Sequence, residues 1–109
     1  MKLQEIAEKL DLKRATKAFD REVSGVYISD MVSDVIANAK AGNLLVTVQI
    51  HNNVIAAANL VDVAGIVITR GRKPTDDMLA LAEKAEIPIF ATEMNAWQVA
   101  GMLYEAGIR

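Results

Sequence analysis

Three apolar runs in this chain each end in a polar turn that opens a helical pattern. Gly25-Val-Tyr-Ile-Ser29 leads into Asp30, Leu44–Ile50 into His51-Asn52-Asn53, and Gly65–Thr69 into Arg70-Gly71-Arg72-Lys73-Pro74. A fourth run, Ile87–Ala91, ends in Thr92-Glu93. Short apolar strands alternating with helical stretches imply right-handed βαβ units and therefore a mainly parallel sheet. Parallel strands gather their polar ends on one edge, the edge where open α/β sheets hold ligands.

The rest of the chain fills in the units between these ends. Lys2–Leu10 carries Leu3, Ile6, Ala7 and Leu10 at helical spacing. Leu12–Thr16 reads as a short strand, bringing the sheet to about five strands, and Lys17–Glu22 reads as a polar connection. The first apolar strand spans Val23–Ser29, and Asp30 is the expected N-cap of a helix ended by Gly42-Asn43. The next helix, Asn53–Val63, is apolar nearly all round, the pattern of a helix covered on more than one side. Pro74-Thr75 opens a helix through Ala85, with Asp76 and Asp77 at the end its dipole favours. Asn95 caps the final helix, which Gly107 ends.

A length of 109 residues implies one domain with one real core. Hydrophobic residues make up 52% of the chain, which is above the roughly 45–50% of ordinary soluble domains. No run approaches the roughly 20 apolar residues of a membrane span, so the surplus apolar surface points to self-association. A net charge of −2 and a single small basic cluster argue against a nucleic-acid footprint. The chain has no cysteine, and so no disulfide framework, thiolate nucleophile or zinc–thiolate site. Met1 leads into Lys-Leu-Gln-Glu without an apolar signal core, so the expected location is cytoplasmic.

The final helix has more apolar surface than packing on a sheet requires. Trp97, Ala100, Gly101, Tyr104 and Ile108 form one face, and Val99, Met102, Leu103 and Ala106 an adjoining one. One reading buries the whole helix. The other gives the face of Trp97, Gly101, Tyr104 and Ile108 to a homodimer contact, and the raised hydrophobicity favours it.

Candidate chemistry sits at the strand ends. His51, the single histidine, lies between a strand end and a helix start beside Gln49, Asn52 and Asn53. It is placed to meet a phosphate or to act as acid or base, but it has no acidic partner in the local sequence. Thr69-Arg70-Gly71-Arg72-Lys73 offers guanidiniums, a flexible glycine and a following helix start, the ingredients of an anion site; its bland reading is a solvated basic loop. Asp30 and Asp34, one helical turn apart, read better as a cap and a solvated side chain than as a metal pair. Ser29, Asp30 and Thr92 complete the polar edge as ligand-binding candidates. The chain has no G-x-x-x-x-G-K-[ST], no G-x-G-x-x-G and no G-x-S-x-G. The strand ends also lack the acidic pair, aspartate and lysine of a phosphoacceptor receiver.

Val26–Asn43, with its Ser-Asp-Met-Val-Ser-Asp core, then Leu44–Ala58 and Ile66-Val-Ile-Thr-Arg-Gly-Arg-Lys-Pro74, resemble the signature of DRTGG domains over nearly the whole of residues 1–109. The pentapeptide Asp-Arg-Thr-Gly-Gly itself does not occur; Thr69–Lys73 stands nearest to it. The resemblance implies a Rossmann-like three-layer α/β/α fold, similar to the N-terminal domain of HPr kinase/phosphorylase. It also implies a regulatory role. Such domains sit inside regulated pyrophosphatases and phosphate acetyltransferases, or stand alone beside redox and hydrogenase systems. A kinase label is not implied, because the kinase's phosphate-binding loop belongs to its other domain. The reading is therefore a non-catalytic regulatory and dimerisation module of redox or energy metabolism, serving a partner enzyme. It needs no cofactor or metal and binds neither nucleic acid nor membrane. The alternatives are a sensor of an adenine nucleotide or other phosphorylated metabolite at the polar edge, and an enzyme acting through His51.

Overall fold

A computed structural model of the chain describes residues 1–17 and 20–109. The polar connection expected over residues 17–22 includes residues 18 and 19, which lie outside the described residues. The elements follow in the order α1 (Leu3–Leu10), β1 (Lys13–Arg14), β2 (Val26–Ile28), α2 (Val32–Asn38), β3 (Leu44–Thr47), α3 (Asn52–Val61), β4 (Gly65–Ile68), α4 (Asp76–Ala85), β5 (Ile89–Ala91) and α5 (Ala96–Glu105).

The sheet runs β1-β5-β4-β3-β2, with β1 antiparallel to β5 and every other pair parallel. The mainly parallel five-strand sheet and its three layers are thus as the strand–turn–helix pattern implies. "Rossmann-like" fits only loosely, because the four parallel strands stand side by side in chain order. Right-handed crossovers between neighbours in that order place α2, α3 and α4 on one face. The other face is covered by α1 and α5.

Strand alternation divides the core between the two faces. Leu44, Val46, Val67 and Phe90 pack with Leu3, Ile6, Leu10, Val99 and Leu103 beneath α1 and α5. Leu45, Ile66, Ile68 and Ile89 pack with Val35, Ile55, Ala58, Met78 and Ala82 beneath α2–α4. All residues of β3 and β4 are buried, which explains why they read as continuous apolar runs rather than alternating ones. Gly65 lets α1 settle onto β4: a Cβ there would stand 2.7 Å from Leu3 Cδ2 and 3.2 Å from the Pro88 carbonyl oxygen.

One local expectation needs correction. Helix α2 stops at Asn38 because Ala39 turns to extended backbone, so Gly42, at φ 84°, serves the turn into β3 rather than the helix end. Helix α3 packs on the sheet and against both α2 and α4, so it is covered on more than one side, as its pattern implies, with its outermost face open. Leu60, apolar by type, is 70% exposed, and Val54, Ile55, Ala57 and Ala58 carry the burial.

Candidate functional site

The parallel strands bring their C-terminal ends, and the turns that follow, to one edge. Neighbouring β4 and β5 send their helices to opposite faces, α4 beside α3 and α5 beside α1. Such a divergence normally opens a crevice for a ligand. Here the backbone bridges it. The Arg70 N–H donates to the Met94 carbonyl and the Gly71 N–H to the Thr92 carbonyl, each at 2.9 Å, and the Arg72 N–H donates to the Thr69 carbonyl at 3.3 Å. Arg70 and Gly71 both sit at positive φ, 62° and 68°, and the Glu93 carboxylate lies against Gly71 where a Cβ would otherwise be. The amides of Arg70, Gly71 and Arg72 are therefore already committed. What the turn can offer an anion is the exposed side chains of Arg70, Arg72 and Lys73, with an acid beside them. Thr69 is only 2% exposed and donates its hydroxyl to the Thr47 carbonyl at 3.5 Å. The Thr92 hydroxyl accepts the Met94 N–H at 3.2 Å.

Asp30 does not cap α2. Met31 takes the N-cap position, and its N–H donates to the Ser29 hydroxyl at 3.2 Å. The Asp30 carboxylate instead accepts the Thr47 hydroxyl at 3.0 Å and the Val48 N–H at 2.9 Å. Thr47 in turn accepts the Gln49 N–H at 3.1 Å. The β2–α2 and β3–α3 turns are thus tied together through one carboxylate. Ser29, Asp30, Thr47 and Gln49 line a pocket of about 10 Å³ floored by Val35 and Leu45, room for about one water and no more. Thr47 was legible as a polar residue inside the apolar run Leu44–Ile50; its partner was not.

The start of α3 differs from its neighbours. His51 occupies the N-cap without a side-chain cap bond, and no acidic residue follows in the first turn. His51, Asn52 and Asn53 are all exposed. Helix α4 is capped by Thr75, whose hydroxyl accepts the Met78 N–H at 3.1 Å, and carries Asp76 and Asp77 in its first turn. Helix α2 carries Asp34 there. Helix α5 also lacks a first-turn acid, but the Asn95–Gln98 capping box occupies its start. Among the helix starts on this edge, only α3 therefore has neither a side-chain cap nor a competing carboxylate to set against an anion. The helix start that follows the basic turn is occupied by the Thr75 cap and carries Asp76 and Asp77 against an anion. Asn52 also lines a groove of about 350 Å³ between α3 and α4, with Ile55, Ala56, Asn59, Leu81, Lys84 and Ala85. The sequence reading missed this groove. Its signal was the apolar residues of α3 in excess of one buried face.

Asp34 is not merely solvated. Its oxygens accept the Tyr27 hydroxyl at 2.8 and 2.9 Å and the Asn38 amide at 2.8 Å. The Ser29 hydroxyl, the Asn38 amide and the Tyr27 hydroxyl hold the Asp34 carboxyl below its ordinary range, and the bond to Asp34 holds the Tyr27 phenol above its own. A depressed carboxyl contributes stability above its unfolded pKa and loses it as pH falls through the folded one. A raised phenol contributes below its unfolded pKa and loses it as pH rises through the folded one. The stability advantage of the wild type over Tyr27→Phe is therefore expected to be largest between these limits. It should shrink in acid below the ordinary carboxylate range and in alkali above the ordinary phenol range. Melting temperatures of both proteins across pH check this, and a pH-independent difference contradicts it.

On α5, Trp97 is 85% and Tyr104 62% exposed, and Gly101 lies between them on the same outward face. Ile108 does not join that face. The helix ends at Glu105, Gly107 turns at φ 96°, and the Ile108 N–H reaches back to the Leu103 carbonyl at 3.0 Å. This C-terminal turn carries Ile108 into the core, where it is 8% exposed. Among the described residues, no group of three or more His, Cys, Asp or Glu side chains converges as a metal site. No helix among the described residues is long and apolar enough to cross a membrane.

Residues 5–106 match the family described as the DRTGG domain. The chain is 31% identical over 91 residues to the phosphate acetyltransferase of Haemophilus influenzae; this match takes in 74% of the chain and 13% of that enzyme. The CBS and DRTGG domains of the regulatory region of Clostridium perfringens pyrophosphatase, solved as a complex with the activator diadenosine tetraphosphate, superpose with a TM-score of 0.73. That match is 14% identical in sequence and covers 93% of this chain and 45% of the solved one. The chain thus spans less than half the length of either protein.

Proposed function

The chain belongs to the DRTGG domain family, and on that premise we propose that it is a non-catalytic regulatory module that senses an adenine nucleotide or related phosphorylated metabolite and acts as a homodimer. The observation that carries the ligand half is the start of α3: an uncapped helix end without acid, opening beside a groove of about 350 Å³. That volume lies within the usual range for small-molecule sites. A phosphate meets the amides at Asn52 and Asn53 and the side chain of His51. A base or other flat apolar part lies along Ile55 and Leu81, near the Asn59 and Lys84 side chains. The pyrophosphatase regulatory region, which shares this fold, is described in complex with a dinucleoside polyphosphate activator, and this supports the choice of ligand class. The exposed aromatic face of α5 supports the homodimer. Regulation of a partner enzyme in redox or energy metabolism is the context of this reading.

Thermal shift against AMP, ATP, diadenosine tetraphosphate and inorganic pyrophosphate tests it. A ligand at 100 times its dissociation constant stabilises by about 2.7 kcal/mol, a rise of roughly 10 °C for a domain of this size. Asn53→Asp, which places a carboxylate at the α3 start, is expected to abolish most of that rise. A panel that leaves the melting temperature unmoved at millimolar ligand removes the sensor from the proposal.

A further inference from the structure

Gly101 is the one glycine that the protomer itself does not explain. Gly25, Gly42, Gly71 and Gly107 sit at positive φ, and Gly65 lies under Leu3. Gly101 has neither reason: it is mid-helix in α5, and a Cβ added there meets nothing within 4 Å. A glycine in that position only weakens the helix relative to alanine. Its neighbours on the outward face are Trp97 and Tyr104, both largely exposed, flanked by exposed Gln98 and Glu105, and the Arg109 guanidinium lies 3.7 Å from the centre of the Tyr104 ring. The contrast with α1, in the same layer, is sharp. That helix turns Gln4, Glu5, Glu8 and Lys9 outward, as a solvated helix should.

We infer that α5 is crossed by α5 of a second copy, antiparallel, with the two-fold axis at Gly101. This rests on the homodimer reading above and adds its geometry. In a two-fold interface the residue that i meets also meets i in return. With Trp97 four residues before Gly101 and Tyr104 three after it, an antiparallel crossing there sets each Trp97 against the partner's Tyr104. Two aromatic pairs then flank a close backbone contact that only glycine permits. A patch of alternating large and small residues is complementary to itself under that one operation. Trp and Tyr are also the residue types that carry most of the energy in such contacts.

The chain has no cysteine, so Gly101→Cys introduces the single thiol. Residues on the axis meet the disulfide requirement of Cα atoms roughly 4.4–6.8 Å apart. Under mild oxidation at micromolar concentration, Gly101→Cys is expected to form covalent dimer at least 10 times faster than Leu60→Cys, which sits exposed on α3 in the opposite layer; equal rates overturn the crossing. Sedimentation of the wild type separates the two claims. A Gly101→Cys protein that still sediments as a dimer but does not cross-link overturns the crossing and keeps the homodimer, while a monomeric wild type overturns both. Gly101→Ala covers the case in which cysteine itself blocks association. The crossing requires its dimer to dissociate roughly 10-fold more readily, from the overpacking of a close contact, while the protomer stays folded. Unweakened association of Gly101→Ala overturns the proposal.

Discussion

Leu3→Ala is expected to lower the unfolding free energy by about 2–5 kcal/mol, a large share of the roughly 5–15 kcal/mol that holds such a domain together. Leu3 is fully buried, opens α1, and lies directly over Gly65 of β4. Gly65→Ala, which pushes a methyl into the same contact, is expected to cost about 1–3 kcal/mol. The two costs should not add. Shortening Leu3 removes the atom that the new methyl strikes, so the double variant should be more stable than the sum of the single ones predicts. Denaturant titration of the four proteins, with an unchanged m-value as the sign of two-state behaviour, measures the coupling. Strict additivity would place the Gly65 constraint at the Pro88 carbonyl oxygen instead, 3.2 Å from the added Cβ.

Asp30→Ala is the second substitution with a large expected effect, about 1–2 kcal/mol. A hydrogen bond to a charged acceptor is worth up to about 3 kcal/mol, and exposure of Asp30 reduces that. The loss is local in origin. Without the carboxylate, the Val48 N–H and the Thr47 hydroxyl lose their acceptor, and the β2–α2 turn is no longer tied to the start of β3–α3. Amide hydrogen exchange should show Val48 losing protection in Asp30→Ala and keeping a good part of it in Asp30→Asn, which retains an acceptor oxygen. Unchanged protection of Val48 in the alanine variant would show that the bracket contributes nothing.

Asp30 also shows where a sequence stops being informative. An aspartate just before Met31-Val32 has the local look of an N-cap. The competing demand comes from the Val48 amide, brought alongside only when β2 pairs with β3. Local chemistry proposes, and a tertiary partner takes the side chain. The strand–turn–helix units were legible because they are written in periodicity, which needs no partner. The expected strand Val23–Ser29 narrows to Val26–Ile28, the residues in register with β3, while Val23 and Ser24 bond instead to the Met1 and Gly42 carbonyls. The basic turn at Arg70–Lys73 has the ingredients of an anion site and equally of a solvated loop in the local sequence; what the local sequence hides is that Met94 and Thr92, remote in sequence, claim the amides of Arg70 and Gly71. The helical wheel placed Ile108 beside Tyr104 by extending α5 past its real end; the turn at Gly107 reverses that residue's direction. Each miss is a long-range contact or a broken period. The α3–α4 groove leaves only an indirect trace, the excess apolar residues of α3, because the groove itself exists only between two helices whose separation is set by the sheet.

The strand order has a consequence for how the two halves of the core come into being. Between Val35 and Ile89, each strand of the parallel sheet pairs with the next strand in sequence, so the α2–α4 side can grow by successive short loop closures, the cheap kind. The other side joins Leu3 and Ile6 to Val99, Leu103 and Ile108, and β1 to β5 through Lys13 and Ala91. It closes only when the two extremities of the chain meet. During synthesis nearly all of the first side is available before the last helix exists, whereas α1 must wait, with its apolar stripe uncovered, until almost the final residue of this stretch has emerged. The helix that completes the fold is the same one that presents Trp97 and Tyr104 outward. That exposed aromatic surface is therefore assembled only on protomers whose folding has finished.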